Sequence, residues 1–365
     1  MPTSCLDVHS RIHGEWIRRP YGGYSHREAC IDRHRGNPGR FIASNCTLPT
    51  QRPGVLRGSV MFIGDSLMQY QHQALVAWMG RAGRPLKCHT VARSSVHFSA
   101  SDDRKELAGS LPALMFVDTY DGREQDCIRP HLTLMSRRLN VLPTTEADIA
   151  AVFDPLFSQM GDAHRRVAVL NVGLWYGPKL TEQHPAFITA LGREQRQQRP
   201  SREARERAAW RLLDDGVRAF LRVACRRGTA WPRVLWREHL PQHFDGDGWY
   251  QSGDERRRRN ASSSPSRRCK PLSDAAAQTM HAVAAERAMR AVREARARDP
   301  RRCRVGVIPA FWALASRWMD HEGFRSPSRR RMRRRPDCTH FLPCSGSMMH
   351  LNQVTLAAIA TTESS

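Results

Sequence analysis

The apolar residues of this chain gather in short dense runs, with little alternation of apolar and polar positions. Runs at 59–63, 113–117, 167–172, 234–236 and 305–308 read as strands covered on both faces, because a sheet buried on both sides needs no polar position. Helical spacing lies between several of them. Residues 67–79 follow the first run directly, and residues 201–225 interleave charges with apolar positions. Residues 273–298 give the clearest helix: Ser273 can cap it, Ala285, Ala288, Met289, Val292 and Ala295 share one face, and Pro300 closes it. Strands alternating with helices predict an α/β fold with a mainly parallel sheet between two helical layers.

The rest of the chain divides by composition. Residues 1–55 are rich in Gly, Pro, Tyr and Arg and carry Cys5, Cys30 and Cys46. They are expected to form a cysteine-pinned segment packed on a core domain spanning 56–365. Two basic insertions are expected in that core, at 251–268 with its Arg run 256–259 and at 325–335 with two Arg triplets, since blocks of like charge repel and pack poorly. The second insertion precedes Asp337 and so is expected at the rim of any site built there.

Charge and cysteine content narrow the class. There are 58 Lys and Arg against 35 Asp and Glu, a net +23. Such a field attracts polyanions, and the alternative is a compositional enrichment in Arg that serves no partner. No run of eighteen apolar residues exists, so no transmembrane helix is expected. Ten cysteines without CxxC spacing argue for disulfides in an oxidising compartment and against a bound metal. The first residues carry no apolar signal stretch, which conflicts with that compartment: either a targeting or anchoring segment is missing from this chain, the favoured expectation, or the thiols are reduced. Asn260-Ala261-Ser262 is a candidate N-glycosylation acceptor.

The first apolar run ends in Gly64-Asp65-Ser66 and enters a helix. A serine placed there exposes its hydroxyl, and the neighbouring first-turn N–H groups are free to hold an oxyanion. Serine needs a base, and the base needs an orienting partner. Asp337 and His340, three residues apart near the other end of the chain, can supply both: His340 as general base and acid, Asp337 holding its tautomer. Backbone N–H groups at Ser66 and Gly173 and the amide of Asn171 are the candidate oxyanion donors. Asn171 reads equally as a strand-ending turn former, and Asp65 reads as a local hydrogen-bonding residue. No metal or bound cofactor is needed for this chemistry.

In this order the two motifs resemble the SGNH/GDSL hydrolase superfamily, and further motifs resemble its PC-esterase family, which includes the trichome-birefringence-like polysaccharide O-acetyltransferases. Cys5-Leu6-Asp7 with Gly14-Glu15-Trp16, Cys46-Thr47-Leu48-Pro49, Asn171-Val172-Gly173-Leu174-Trp175-Tyr176, the set Arg237, Pro241, His243, Phe244 and Trp249, and Asp337-Cys338-Thr339-His340-Phe341-Leu342-Pro343-Cys344 stand in the family's order over nearly the whole chain. The chain departs from the family at Met68, Gln69, Tyr70 and Leu174, and its cysteine after the catalytic histidine has moved to Cys344.

The resemblance implies an SGNH-type three-layer α/β/α fold with Ser66, Asp337 and His340 as the triad. It implies acyl transfer, acetyl above all, from an acetyl donor of unidentified structure to hydroxyls of a polysaccharide, through an ester on Ser66, in a Golgi or secretory lumen. If water takes the acyl group, the same triad makes a carbohydrate acetyl-esterase. A catalytically silent glycan-binding relative is the further alternative. A basic protein whose partner is a polyanion or nucleic acid is a third, though no nucleic-acid motif is present. An acidic glycan would suit the basic rim. The resemblance also implies that Cys338 is bridged to Cys269 or to an N-terminal cysteine. Arg237 and His243 read as acceptor-groove residues or as scaffolding of their loop. Trp175, Tyr176 and Trp249 read as platforms for sugar rings or as core.

Overall fold

The computed structural model describes residues 14–17, 40–44, 46, 56–81, 86–90, 125–161, 165–176, 202–244, 249, 269–317, 320–321, 338–341 and 345–361. The expected strand at 113–117, both basic insertions, the glycosylation candidate, Cys5, Cys30, Asp337 and Cys344 lie outside the described residues. Among the described residues no helix is long and apolar enough to cross a membrane, and no group of three or more His, Cys, Asp or Glu side chains could hold a metal.

The fold is α/β. Two strands, β1 (Gly14–Ile17) and β2 (Arg40–Ala43), form a small antiparallel sheet. The main sheet has seven strands: β3 (Gly58–Gly64), β4 (Lys87–Thr90), β5 (Gln125–Arg129), β6 (Leu132–Arg138), β7 (Arg166–Asn171), β8 (Arg233–Arg237) and β9 (Val305–Ile308). Its order is β4-β5-β6-β3-β7-β8-β9. From β6 to β9 every pairing is parallel, and β4 and β5 add an antiparallel edge. Four of the five apolar runs are therefore strands of the parallel block. The edge strands carry Lys87, Asp126 and Arg129, which hid them from a reading based on apolar density.

Helices cover both faces, and the strands divide their side chains between them by parity. On one face Met61, Ile63, Ala168, Leu170, Val234, Trp236, Val305 and Val307 pack against α2 (Glu146–Ser158), α3 (Arg202–Arg227) and α5 (Arg287–Arg298). On the other, Val60, Phe62, Leu134, Val169, Leu235 and Ile308 pack against α1 (Ser66–Arg81) and α7 (Gly346–Thr361). The predicted 273–298 helix is α4 (Asp274–His281) running through a π-turn at Ala282–Glu286 into α5, with Ser273 Oγ accepting from Ala276 N at 3.2 Å. A short helix, α6 (Phe311–Leu314), follows β9.

Helix α7 lacked a sequence signal because it is buried around its circumference, from Gly346 to Ile359 with few gaps. A helix without a polar stripe has no 3.6-residue period to read. Helix α2 is capped by Thr145, whose Oγ accepts from Asp148 N at 3.2 Å, and Pro155 lies inside it, which masks its helical character. Phe41 of β2 is buried and meets His350 of α7 edge-on, ring centroids 5.6 Å apart.

Among the described residues three disulfides are complete: Cys88–Cys127, Cys225–Cys303 and Cys269–Cys338. Cys46 is also disulfide-bonded. Cys269–Cys338 is one of the two pairings that the resemblance implied.

Candidate active site

In sequence order the five parallel strands run β3, β6, β7, β8, β9, and in space they stand 2-1-3-4-5. The first strand sends its connection to one side and the third begins the march to the other. Open α/β sheets bind ligands at the carboxyl ends of the strands flanking such a reversal. Here those ends are Gly64 and Asn171, which are paired in the ladder. The turn after β3 carries Asp65 and Ser66, and the turn after β7 carries Gly173 and Leu174.

Gly64 makes the first turn possible. Its φ is +154°, and a Cβ there would lie 2.0 Å from Asn171 O and 2.6 Å from Met68 Cγ. Only glycine lets the strand exit this close to its neighbour and feed α1 at once. Asp65 then joins the two turns. It is wholly buried; its Oδ1 accepts from Leu67 N at 2.9 Å and its Oδ2 from Leu174 N at 3.3 Å. Its carbonyl accepts from Met68 N and Gln69 N. Of the four first-turn donors of α1, Asp65 thus engages three and the Ser66 N–H remains. The Gly173 N–H is likewise outside the bonds formed among the described residues. Both turns can therefore offer a donor to a developing oxyanion.

Ser66 is half-buried, and its Oγ lies 2.6 Å from His340 Nε2, a contact between residues 274 positions apart. Tyr70, one helical turn after Ser66 on α1, stacks on the His340 ring with centroids 4.8 Å apart and planes inclined by 29°. The segment 338–341 is held from several sides. Cys338 is bridged to Cys269, and Cys338 O accepts from His243 N at 3.0 Å. Phe341 pairs with His321 in an isolated antiparallel bridge, and their rings lie 4.0 Å apart. An apolar cluster of Leu67, Leu174, Leu240, Leu314, Phe341 and Met348 floors the site.

His243 belongs to this scaffold. It is fully buried, with Nε2 2.7 Å from Ala315 O and Nδ1 2.6 Å from His321 Nε2. A carbonyl only accepts, so the neutral ring donates from Nε2, and His321 donates to Nδ1. Burial lowers the His243 pKa to about 4, against the upward pulls of Ala315 O and Asp320.

Arg237 is also fully buried. Its Nη1 donates to Gln71 Oε1 at 3.3 Å, and Gln71 Nε2 donates to Thr355 Oγ1 at 2.9 Å. Burial lowers its pKa to about 10 and the Asp65 charge raises it, so it is a cation at neutral pH. Neither Arg237 nor His243 lines an open groove; both fit the scaffolding alternative. Asn171 donates from Nδ2 to Arg237 O at 2.9 Å and is itself buried. It ties β7 to the end of β8, as a strand-ending residue would.

Tyr176 is in the core, its hydroxyl accepting from Leu142 N at 2.8 Å, and burial raises its pKa. It offers no face to a sugar. Trp249 is half-buried between Trp210 and His239, with ring centroids 5.5 and 6.2 Å away.

Two buried residues escaped the sequence reading. Glu238 Oε2 accepts from Ala310 N and Phe311 N, both at 2.7 Å, and its Oε1 lies 2.8 Å from His281 Nε2. His239 sits against the Gly173 turn: a Cβ on Gly173 would lie 2.6 Å from His239 Nδ1. The available signal was three polar residues in succession, Arg237-Glu238-His239, at the end of an apolar run. No protein-family model matches the chain, and no curated protein matches it.

Proposed function

We propose that the protein is a serine-dependent acyltransferase of the SGNH type, resembling the PC-esterase family, which moves an acetyl group to a polysaccharide hydroxyl. The observation that carries this reading is the 2.6 Å approach of His340 Nε2 to Ser66 Oγ at the amino end of α1. The 2-1-3-4-5 strand order and the disulfide that anchors Cys338 to Cys269 support it.

Ser66 Oγ attacks the carbonyl carbon of an acyl donor, and its proton passes to His340 Nε2. The tetrahedral oxyanion is held by the Ser66 and Gly173 N–H groups. Collapse expels the donor's leaving group, which takes the proton from His340, and leaves an ester on Ser66. A sugar hydroxyl then attacks that ester while His340 removes its proton; Ser66 departs and is reprotonated. Water in place of the sugar gives hydrolysis, so the transferase reading requires the acceptor to exclude water. Asp337, outside the described residues, is assigned the role of holding the His340 tautomer. The reading places the protein in an oxidising secretory lumen, and its disulfides support that compartment.

Intact-protein mass after incubation with an activated acetyl ester tests the reading. The expected result is one acetyl adduct on the wild type that is absent from Ser66→Ala and is released by a glycan acceptor faster than by water. Absence of any Ser66-dependent adduct on folded, disulfide-intact protein would refute it.

A further inference from the structure

We infer that Tyr70 is a positioning residue for the catalytic imidazole, the face on which His340 rests while it exchanges a proton with Ser66; this rests on the serine-dependent reading above. Residues four apart on a helix share a face, so Ser66 and Tyr70 address His340 together. Ser66 Oγ meets the ring edge at Nε2, at 2.6 Å, and Tyr70 covers a ring face at a centroid separation of 4.8 Å. Hydrogen bonds at the edge of a ring lie in its plane and do not by themselves fix its tilt. A face contact removes that freedom, because rotating the ring would break the stack.

The neighbourhood makes Tyr70 a fitting support. Its ring packs against the apolar cluster of Leu67, Leu174 and Phe341, so it rests on the same floor that holds both turns of the site. The segment bearing His340 is fixed on its other sides by the Cys269–Cys338 bridge and the Phe341–His321 pairing. The stack thus completes a clamp whose other jaw is covalent. It also suits the reaction. When Ser66 Oγ–H gives its proton to Nε2, the imidazole becomes a cation, and the negative face of an aromatic ring favours it. The Tyr70 hydroxyl takes no part in either effect.

The test measures acetylation of Ser66 by p-nitrophenyl acetate in the disulfide-intact wild type, Tyr70→Phe and Tyr70→Leu, with thermal midpoints. Tyr70→Met keeps length and apolarity without an aromatic face, and replaces Leu if that variant folds poorly. A parallel NMR experiment follows the His340 Cε1 proton, assigned by difference from His340→Gln. The expected result is that Tyr70→Phe acylates within about twofold of wild type, while Tyr70→Leu is about 3- to 10-fold slower at saturating ester with KM unchanged. The His340 proton should lose the ring-current shift in Tyr70→Leu and keep it in Tyr70→Phe. A wild-type rate constant in Tyr70→Leu overturns the inference, as does failure of Tyr70→Phe to restore the rate. Absence of Ser66-dependent acetylation in the wild type itself is a different failure: it overturns the proposed function, and this role with it.

Discussion

Replacing Asp65 by Asn asks how much of the site depends on one buried carboxylate. The side chain is wholly buried, bonds Leu67 N and Leu174 N through its two oxygens, and is the charge that Arg237 faces in the interior. An Asn of the same shape keeps one oxygen and so one of the two bonds. Its amide group meets the other N–H donor to donor, leaving a buried backbone N–H unpaired at a cost of about 1–3 kcal/mol. It also strips Arg237 of its counter-charge. Breaking a buried pair in contact costs about 3–5 kcal/mol, and here the two charges interact without a direct ion-pair contact, so a smaller share applies. Together these give a loss of about 3 kcal/mol. Equilibrium denaturation of wild type, Asp65→Asn, Arg237→Met and the double variant reads it directly. The double variant should be less destabilised than the sum of the singles, by at least about 0.5–1 kcal/mol, because it removes both charges together. Additive singles, or an Asp65→Asn protein as stable as wild type, would refute the reasoning. With the Leu174 turn released, acetylation should be slowed in Asp65→Asn but not abolished as in Ser66→Ala.

Acid should destabilise the fold through two buried histidines. Burial lowers both His243 and His72 to about 4, with Asp320 facing the first and Asp126 and Arg137 facing the second. Above the unfolded pKa of about 6.5 neither contributes; below it the unfolded chain gains protons the folded one refuses, so each removes about 3 kcal/mol by pH 4. Denaturation between pH 7 and 4 should show that slope, and His72→Gln should reduce it by about half; an unchanged slope contradicts the assignment. Removing the Cys269–Cys338 bridge as a double Ser variant frees a loop of 69 residues, worth up to about 4 kcal/mol of chain entropy. It should slow Ser66 acetylation more than Cys225→Ser/Cys303→Ser does, since only the first bridge holds the His340 segment; equal rates would count against that role.

The legible parts of this protein are those set by short stretches of chain. The runs at 167–172 and 305–308 became β7 and β9 because dense apolar residues have few other uses than a doubly covered strand. Gly64 marked the turn before Ser66 because no other residue tolerates its backbone there. Helix α7 went unread because it is buried on all sides from Gly346 to Ile359, with only Gln353 half-buried, and burial all round leaves no period. The antiparallel edge β4-β5 was obscured by its charges: Asp126 pairs at 2.7 Å with Arg137 of the neighbouring β6, a partner that spacing alone does not reveal.

The same limit separates the site's elements from their roles. Sequence determined that a glycine-led serine opens a helix and that an imidazole stands three residues beyond an aspartate. Local geometry fixes both, through the few residues on either side. Tertiary structure alone decided that Ser66 and His340 meet across 274 positions and that Tyr70 lies on the imidazole. It also decided that Arg237, His243 and Tyr176 are interior supports with no surface to offer a glycan. Which groups meet depends on strand order and on which face each parity of side chain buries, and both follow from packing the whole sheet between its helices, a sum over distant residues that no local pattern contains.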